Sequence, residues 1–308
     1  MIVIRKLSQI KARPALAITI GNFDGIHLGH SKIVDEVKNF AKEKNLLSTI
    51  LTFEPHPTSF FKNDRSKDFR ITSLSQKLKI FREKEIDRVI ILPFNHEIAS
   101  IEADYFIEQI LVKALNIKCL LVGYDFIFGK NRQGNFALLE QASKKFGFEL
   151  HQVPALKEED QICSSSLIRQ FVSQGNIAEA NKFLGRNFSI CGIVNEGKKL
   201  ANQLGFPTAN LMAKPHIIKP KFGVYKTSTF IPALGKKFSS ITNFGVKPTI
   251  NCDSAPIFET HILNFSSNIY GKKIEVEFLD FIREERKFSS LDQLKEQIKK
   301  DLEELHIL

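Results

Sequence analysis

The sequence predicts an α/β domain followed by a small β domain, and three observations predict it. Over roughly the first half of the chain, apolar runs of strand length alternate with amphipathic runs of helix length, the pattern of a largely parallel sheet with flanking helices. Beyond residue 185 the apolar runs follow one another, punctuated by Gly, Pro and Asn, as in a small antiparallel β-barrel closed by a C-terminal helix. With 308 residues, 43% of them hydrophobic, the chain is long enough to bury two cores.

In the first half the expected strands are residues 17–20, 48–53, 87–92, 118–122 and 148–153. The first of these, AITI, carries no polar alternation beyond one threonine, as befits a strand covered on both faces. Between the strands, residues 31–44, 74–84, 102–115 and 136–146 space their apolar side chains at helical intervals. Two shorter helical patterns, 167–174 and 177–184, end at Gly175 and Gly185, the residue type that closes helices most readily. The domain boundary is therefore expected between residues 184 and 185, giving domains 1–184 and 185–308. In the second half, strands are expected at 188–194, 224–230, 238–244, 258–265 and 273–281. A last helix, 289–304, has a start signal in Ser289-Ser290 and sets Leu291, Leu294, Ile298 and Leu302 on one face, suited to capping the barrel.

Charge and cysteine usage bound the function. The formal net charge is +10, but the 44 Lys and Arg residues are interleaved with 34 acids along the whole chain, and no aromatic RNP motif or GXXG loop is evident. Nucleic acid is thus not the expected partner, whereas a mild cationic bias favours polyanionic nucleotides. Cys119, Cys163, Cys191 and Cys252 lie far apart without paired spacing, which argues against a zinc site or a disulfide framework and fits a reducing cytoplasm. Arg5 and Lys6 interrupt the N-terminal apolar stretch, and eighteen uncharged apolar residues never run together, so an unexported, cytoplasmic protein with no membrane partner is expected.

The richest segment is AITIGNFDGIHLGH, residues 17–30. A buried strand breaks at Gly21, Gly21 and Gly25 permit close backbone approach to a ligand, and His27 and His30 share a face as the next helix begins. A helix N-terminus adds about half a positive charge, which makes this a phosphate site. Histidines three apart can also hold a metal, but no third ligand is apparent beside them, and the intervening glycine favours a nucleotide loop. Later, CSSSLIRQ gathers the hydroxyls of Ser164, Ser165 and Ser166 with the Arg169 guanidinium, where helix capping and phosphate contact use the same helix end.

GNFDGIHLGH resembles the H-x-G-H signature of adenylyl- and cytidylyltransferases, in the form carried by bacterial bifunctional riboflavin kinase/FAD synthetases. The resemblance implies a Rossmann-like nucleotidyltransferase domain in which Gly21, Asn22, Phe23, Asp24 and Gly29 bind nucleotide, while His27 and His30 donate to the α- and β-phosphates of ATP. Ser164, Ser165, Ser166 and Arg169 match the family's S-S-T-x-x-R, with Ser166 in place of threonine, and by that resemblance hold the departing pyrophosphate. LVGYDFIFGKNRQG matches V-G-x-D-F-x-F-G and puts Asp125 in the shared nucleotide and flavin cleft. FEPHP, with His56, also matches; Phe53, Phe126 and Phe128 are aromatic candidates for packing on an isoalloxazine ring.

In the second half LGFPTANL resembles the P-T-A-N motif of riboflavin kinases, bringing Gly205 and Pro207 to the nucleotide and offering the Thr208 hydroxyl and Asn210 amide oxygen as hard ligands for Mg²⁺. Read without the family, PTAN is an ordinary turn. TNFGVKPTI, FETHILNF, IYGKKIEVEFLDFIREERKF and SLDQLKEQIKKD follow in family order. By resemblance, Glu259 is the general base and Arg283 lies in the flavin segment; by residue type alone, Glu259 in a strand reads as surface or an ion-pair partner. Ala201 and Asn202 stand where the family commonly has glycine and arginine, a change expected to weaken kinase turnover or alter nucleotide affinity without abolishing function. The expected chemistry is ATP-dependent phosphorylation of riboflavin to FMN, then adenylylation of FMN to FAD with release of pyrophosphate, both with Mg²⁺, by a monomer or weak homo-oligomer. The alternatives are a nucleotidyltransferase with another acceptor and a catalytically idle flavin-binding regulatory protein.

Overall fold

The structure is a computed structural model that describes residues 1–10, 13–61, 69–195, 208–212, 214–246, 256–286, 293, 296, 297, 300 and 301. The chain divides into two compact units, Met1–Ser66 with Thr72–Ser165, and Lys67–Ile71 with Ser166–Leu308.

In chain order the first unit comprises β1 (Ile2–Ile4), β2 (Leu16–Ile20), α1 (Leu28–Glu43), β3 (Leu47–Glu54), α2 (Pro57–Phe61), α3 (Leu74–Glu83), β4 (Arg88–Pro93), α4 (His96–Ala99) and α5 (Ala103–Tyr105), which winds on as a π-helix over Phe106–Ala114. Then come β5 (Ile117–Gly123), α6 (Phe136–Phe146), β6 (Glu149–Val153) and a small hairpin of β7 (Lys157–Glu158) and β8 (Gln161–Ile162). The first six strands form one sheet in the order β1-β4-β3-β2-β5-β6, parallel throughout. Every residue of β2 is buried, because helices cover both faces. Leu16, Ile18 and Ile20 pack against Phe106, Ile110 and Leu139 on one side, while Ala17 meets Val37 and Ala41 of α1 on the other. The chain moves outward from β2 through β3 and β4, then returns to place β5 on β2's opposite side. That reversal opens a crevice beyond the carboxyl end of β2, where ligands of such sheets collect.

Helix α7 (Ser165–Gln174), whose first residue ends the first unit, and α8 (Ile177–Leu184) precede β9 (Phe188–Asn195), β10 (Thr208–Met212), β11 (Gly223–Ile231), β12 (Lys236–Gly245), β13 (Ile257–Ile262) and β14 (Lys273–Arg283). These six close an antiparallel barrel in the order β10-β13-β12-β11-β14-β9, with β9 pairing back to β10. Alternation along the strands fills the interior with Phe188, Leu211, Tyr225, Phe244, Phe258 and Phe278. A chain of buried hydroxyls, Thr229–Ser240–Thr227–Thr242–Thr260, satisfies itself at 2.8–2.9 Å. Of the expected C-terminal helix, Gln293, Glu296, Gln297, Lys300 and Asp301 are helical and its remaining positions lie outside the described residues.

Both expected architectures are present, with differences at element ends. Helix α1 starts at Leu28 rather than at residue 31, the stretch at 102–115 is mostly π-helix, and the strand expected at 258–265 stops at Ile262. Thr208 and Asn210, whose bare sequence reads as a turn, instead open strand β10.

Candidate active sites

The loop leaving β2 is held in a conformation that its sequence does not prefer. Phe23 (φ 48°), Gly25 (φ 87°) and Ile26 (φ 41°) are all left-handed, and two of them carry the full side-chain penalty. Surroundings over-determine the loop. The Gly25 amide donates to Thr72 Oγ1 at 3.1 Å, the Thr72 amide donates to the buried Asp24 carboxylate at 3.3 Å, and the Ser165 hydroxyl donates to the Asp24 carbonyl at 2.8 Å. Buried Lys77 donates its ammonium to the Asn22 carbonyl, so a cation stands behind the loop.

His27 is only 5% exposed and is the N-cap of α1: its Nδ1 accepts the His30 amide at 3.3 Å. An imidazole that accepts at Nδ1 carries its proton at Nε2, which fixes the tautomer. The His27 and His30 rings stack at 3.7 Å, and Phe23 meets His30 edge-on at 5.3 Å. Gly29 is needed for this packing, because a Cβ there would lie 3.3 Å from the His27 ring and 3.5 Å from the Cys163 carbonyl oxygen. Burial raises the Cys163 thiol pKa, with the Glu158 carboxylate adding to it and the Gly29 amide opposing both. Ring donors and the first amides of a 16-residue helix thus converge at the carboxyl end of β2.

At the same edge Asp125 is exposed just after β5, its carboxylate 3.4 Å from where a Gly123 Cβ would stand. His56 is buried and caps α2, its Nδ1 accepting the Thr58 amide at 3.2 Å. Beyond β3 and β4, Phe53, Phe60, Phe61 and Phe94 pack edge to face at 5.4–5.7 Å, with Phe61 67% exposed. Phe126 and Phe128 instead pack against the sheet's main core. Ser164 and Ser165 fall in the first unit, Ser166 and Arg169 in the second. Arg169 there donates Nε to the Phe69 carbonyl at 2.7 Å and lies over the Phe69 ring.

On the barrel, strand register brings three of the expected residues to one outer face. Asn210 lies directly opposite Glu259 on β13, and Thr208 follows on the same face of β10 two residues away. Asn210 Oδ1 is buried without a hydrogen-bond partner among the described residues. An orphaned amide oxygen of this kind is costly unless a ligand satisfies it. Thr208 also lines a pocket of about 290 Å³ with Ile262, Phe265, Asn268 and Tyr270. Asn243, opposite Glu259 on its other side, donates to Glu285 at 3.2 Å, and Glu285 occupies the space a Cβ on Gly245 would need. Arg283 makes a two-pronged ion pair with Asp301 at 2.7–3.1 Å. Gly205, Pro207, Ala201 and Asn202 lie outside the described residues.

Thr72, Lys77, Asn243, Glu285 and the Phe60–Phe61–Phe94 group stand at these candidate sites without having been singled out in the sequence. Only the aromatics carried a local signal, in the run of phenylalanines after FEPHP.

Comparison with known proteins agrees with both halves. A family model described as FAD synthetase matches residues 9–167, and one described as riboflavin kinase matches residues 184–307. Proteins named bifunctional riboflavin kinase/FMN adenylyltransferase are 39% identical in Buchnera aphidicola (97% of this chain, 95% of the relative) and 40% identical in Haemophilus influenzae (93% and 92%). The Escherichia coli K12 protein of that name is 35% identical, covering 98% and 96%. A crystal structure named as a macrolide-efflux protein from Streptococcus pneumoniae superposes with a TM-score of 0.87 at 30% identity, over 98% of this chain and 97% of that one. Among the described residues no helix is long and apolar enough to cross a membrane.

Proposed function

This chain belongs to the bifunctional riboflavin kinase/FMN adenylyltransferase family, and from that premise we propose how its own residues divide the work. It phosphorylates riboflavin to FMN and adenylylates FMN to FAD, with ATP as co-substrate of both steps. Residues 1–184 perform the adenylylation and residues 185–308 the phosphorylation.

In the first domain a phosphate oxygen of FMN attacks the α-phosphorus of ATP, and the bond to the bridging oxygen breaks to release pyrophosphate. No covalent enzyme intermediate is required; the protein's task is to neutralise charge as it develops around phosphorus. His27 donates from Nε2, the nitrogen left protonated by its cap hydrogen bond, and His30 donates beside it. Gly21, Asn22, Phe23, Asp24 and Gly29 shape the loop around the triphosphate, and Ser164, Ser165, Ser166 and Arg169 hold the pyrophosphate. The observation that carries this assignment is the strained, doubly anchored loop ending in a histidine-capped helix at the sheet's switch point. The flavin ring rests on the aromatic group headed by Phe61, with Asp125 at the cleft's other side.

In the second domain Glu259 takes the proton of the ribityl 5′-hydroxyl as its oxygen attacks the γ-phosphorus, and ADP leaves. Hard oxygens suit Mg²⁺, and the orphaned Asn210 Oδ1, on the same strand face as the Thr208 hydroxyl, fits it; Thr208 and Asn210 would hold the ion. When bound, Mg²⁺ supplies charge neutralisation at the ATP phosphates. The pocket beside Thr208 receives the rest of the nucleotide, with Arg283 supporting the flavin segment; Gly205 and Pro207 are assigned to nucleotide binding by the family motif alone. The protein works in the cytoplasm as a monomer or weak homo-oligomer, without nucleic acid.

The test is to incubate purified protein with riboflavin, ATP and Mg²⁺ and separate the flavins by chromatography. Wild type yields FMN and then FAD. Asn210→Ala and Glu259→Gln lower FMN formation at least 100-fold while FAD formation from supplied FMN persists; wild-type FMN output from either variant removes that residue from the kinase site.

A further inference from the structure

The geometry points to a divalent transition-metal site, suited to Zn²⁺, formed by Cys119, Glu149 and His151 at the β5–β6 edge of the first unit. The Cys119 Sγ, a Glu149 carboxylate oxygen and an imidazole nitrogen of His151 all lie within 4.8 Å of one another. Adjacent parallel strands place them there. Cys119 is directly opposite Glu149 in the β5–β6 register, and Glu149 and His151, two apart on β6, share its face toward α1.

Two details separate this group from a chance surface cluster. Cys119 is fully buried and is a free thiol, so the soft donor is fixed by the core packed around it, Ala17, Val37, Ala41 and Leu121. His151 Nε2 is shielded from solvent and has no hydrogen-bond partner among the described residues, although it stands 3.5 Å from Glu149 Oε2. Phe40 packs on the imidazole at 4.2 Å and holds its ring. One sulfur, one nitrogen and one oxygen donor form the set that Zn²⁺ accepts, whereas Mg²⁺ and Ca²⁺ prefer oxygen alone. Donors around tetrahedral zinc stand about 3.5 Å apart, given metal–ligand lengths of about 2.0–2.3 Å, so the group closes by roughly 1 Å. Glu149 and His151 are partly exposed and have that freedom. Lys44 now pairs with Glu149 at 2.7 Å; both partners are solvent-screened, and such pairs are readily exchanged for a metal. Three protein ligands leave one coordination position open.

The site is distinct from the nucleotide loop. Cys119 lies four residues along β5 from Gly123, about 13 Å at the usual strand rise. Metal there would staple edge strand β6 to β5 and release Lys44, the C-cap of the helix whose other end carries His27 and His30.

The experiment uses the full chain, stripped with a chelator and then titrated with Zn²⁺ alone in the absence of nucleotide. One Zn²⁺ per chain is expected, with binding weakened at least 100-fold by Cys119→Ser and by His151→Gln and unchanged by His30→Ala, which separates this site from the histidine pair. Co²⁺ in its place gives a thiolate charge-transfer band that Cys119→Ser abolishes. Zinc also raises the wild-type thermal midpoint by several degrees and leaves the Cys119→Ser midpoint unchanged. Because His151 is on an edge strand and partly exposed, His151→Gln remains a folded reporter even where Cys119→Ser is destabilised. Absence of stoichiometric binding at micromolar Zn²⁺, or binding that survives both substitutions, overturns the site.

Discussion

In the proposed adenylylation site His27 has two tasks for one ring. Nδ1 satisfies an amide at the start of α1, and that bond leaves the proton on Nε2 for a phosphate. The tasks can be separated because asparagine also caps helices well, whereas alanine does not. His27→Ala and His27→Asn should each lower FAD formation from FMN about 10²- to 10³-fold, corresponding to about 2.7–4 kcal/mol for one lost transition-state donor. Only His27→Ala also loses the cap, about 1 kcal/mol of stability, which thermal unfolding of the two variants compares. An asparagine variant that keeps wild-type FAD formation shows that the ring acts as a cap alone.

Elements were legible where periodicity is long and illegible where geometry comes from a distant partner. The β-rich runs of β2, β4 and β5 and the 3.6-residue spacing of α3 and α6 announced themselves, whereas three-residue β1 is too short to carry a period. Strand β10 hid inside a motif: Thr208 and Asn210 follow a proline, and local turn chemistry outweighed an alternation that only its neighbours β13 and β9 enforce. Helix α1 begins with Leu28 and Gly29, weak start signals, because the cap is a histidine. Both histidines of the first site were readable, yet Thr72 and Lys77, which hold their loop, lie about fifty residues away. Arg283 shows the same limit at the end of β14. Its guanidinium clasps Asp301, a residue of the C-terminal helix that Gln297 also contacts at 2.9 Å, so this strand end anchors a helix whatever else it supports. With side-chain exposures of 13% and 3%, the pair is nearly dry, and removing one partner strands the other charge. Arg283→Ala should therefore cost about 3–5 kcal/mol in the second unit. Chemical denaturation with a probe in the barrel measures this; a loss below 1 kcal/mol would mean that the helix is not held by this pair.

On the scale of the whole molecule, the two reactions ask for different chemistry and the chain supplies it in two unrelated architectures. A parallel sheet has a switch point and helix N-termini, which suit a triphosphate held by amides and ring donors. A closed antiparallel barrel has no such helix end, and offers carboxylate and amide side chains projecting at fixed register from neighbouring strands. On the proposed division of residues neither set serves the other reaction, so each should be disabled alone. His27→Ala protein should still make FMN, and Glu259→Gln protein should still convert supplied FMN to FAD. Because FMN is a soluble product of one reaction and substrate of the other, the two inactive-in-sequence proteins should complement each other when mixed. Riboflavin would then reach FAD after a lag that shortens as the Glu259→Gln protein is raised at constant His27→Ala protein. Wild-type protein that converts riboflavin to FAD with no lag and no free FMN, where the mixture shows both, would mean that FMN passes between the two sites of a single chain without entering solution.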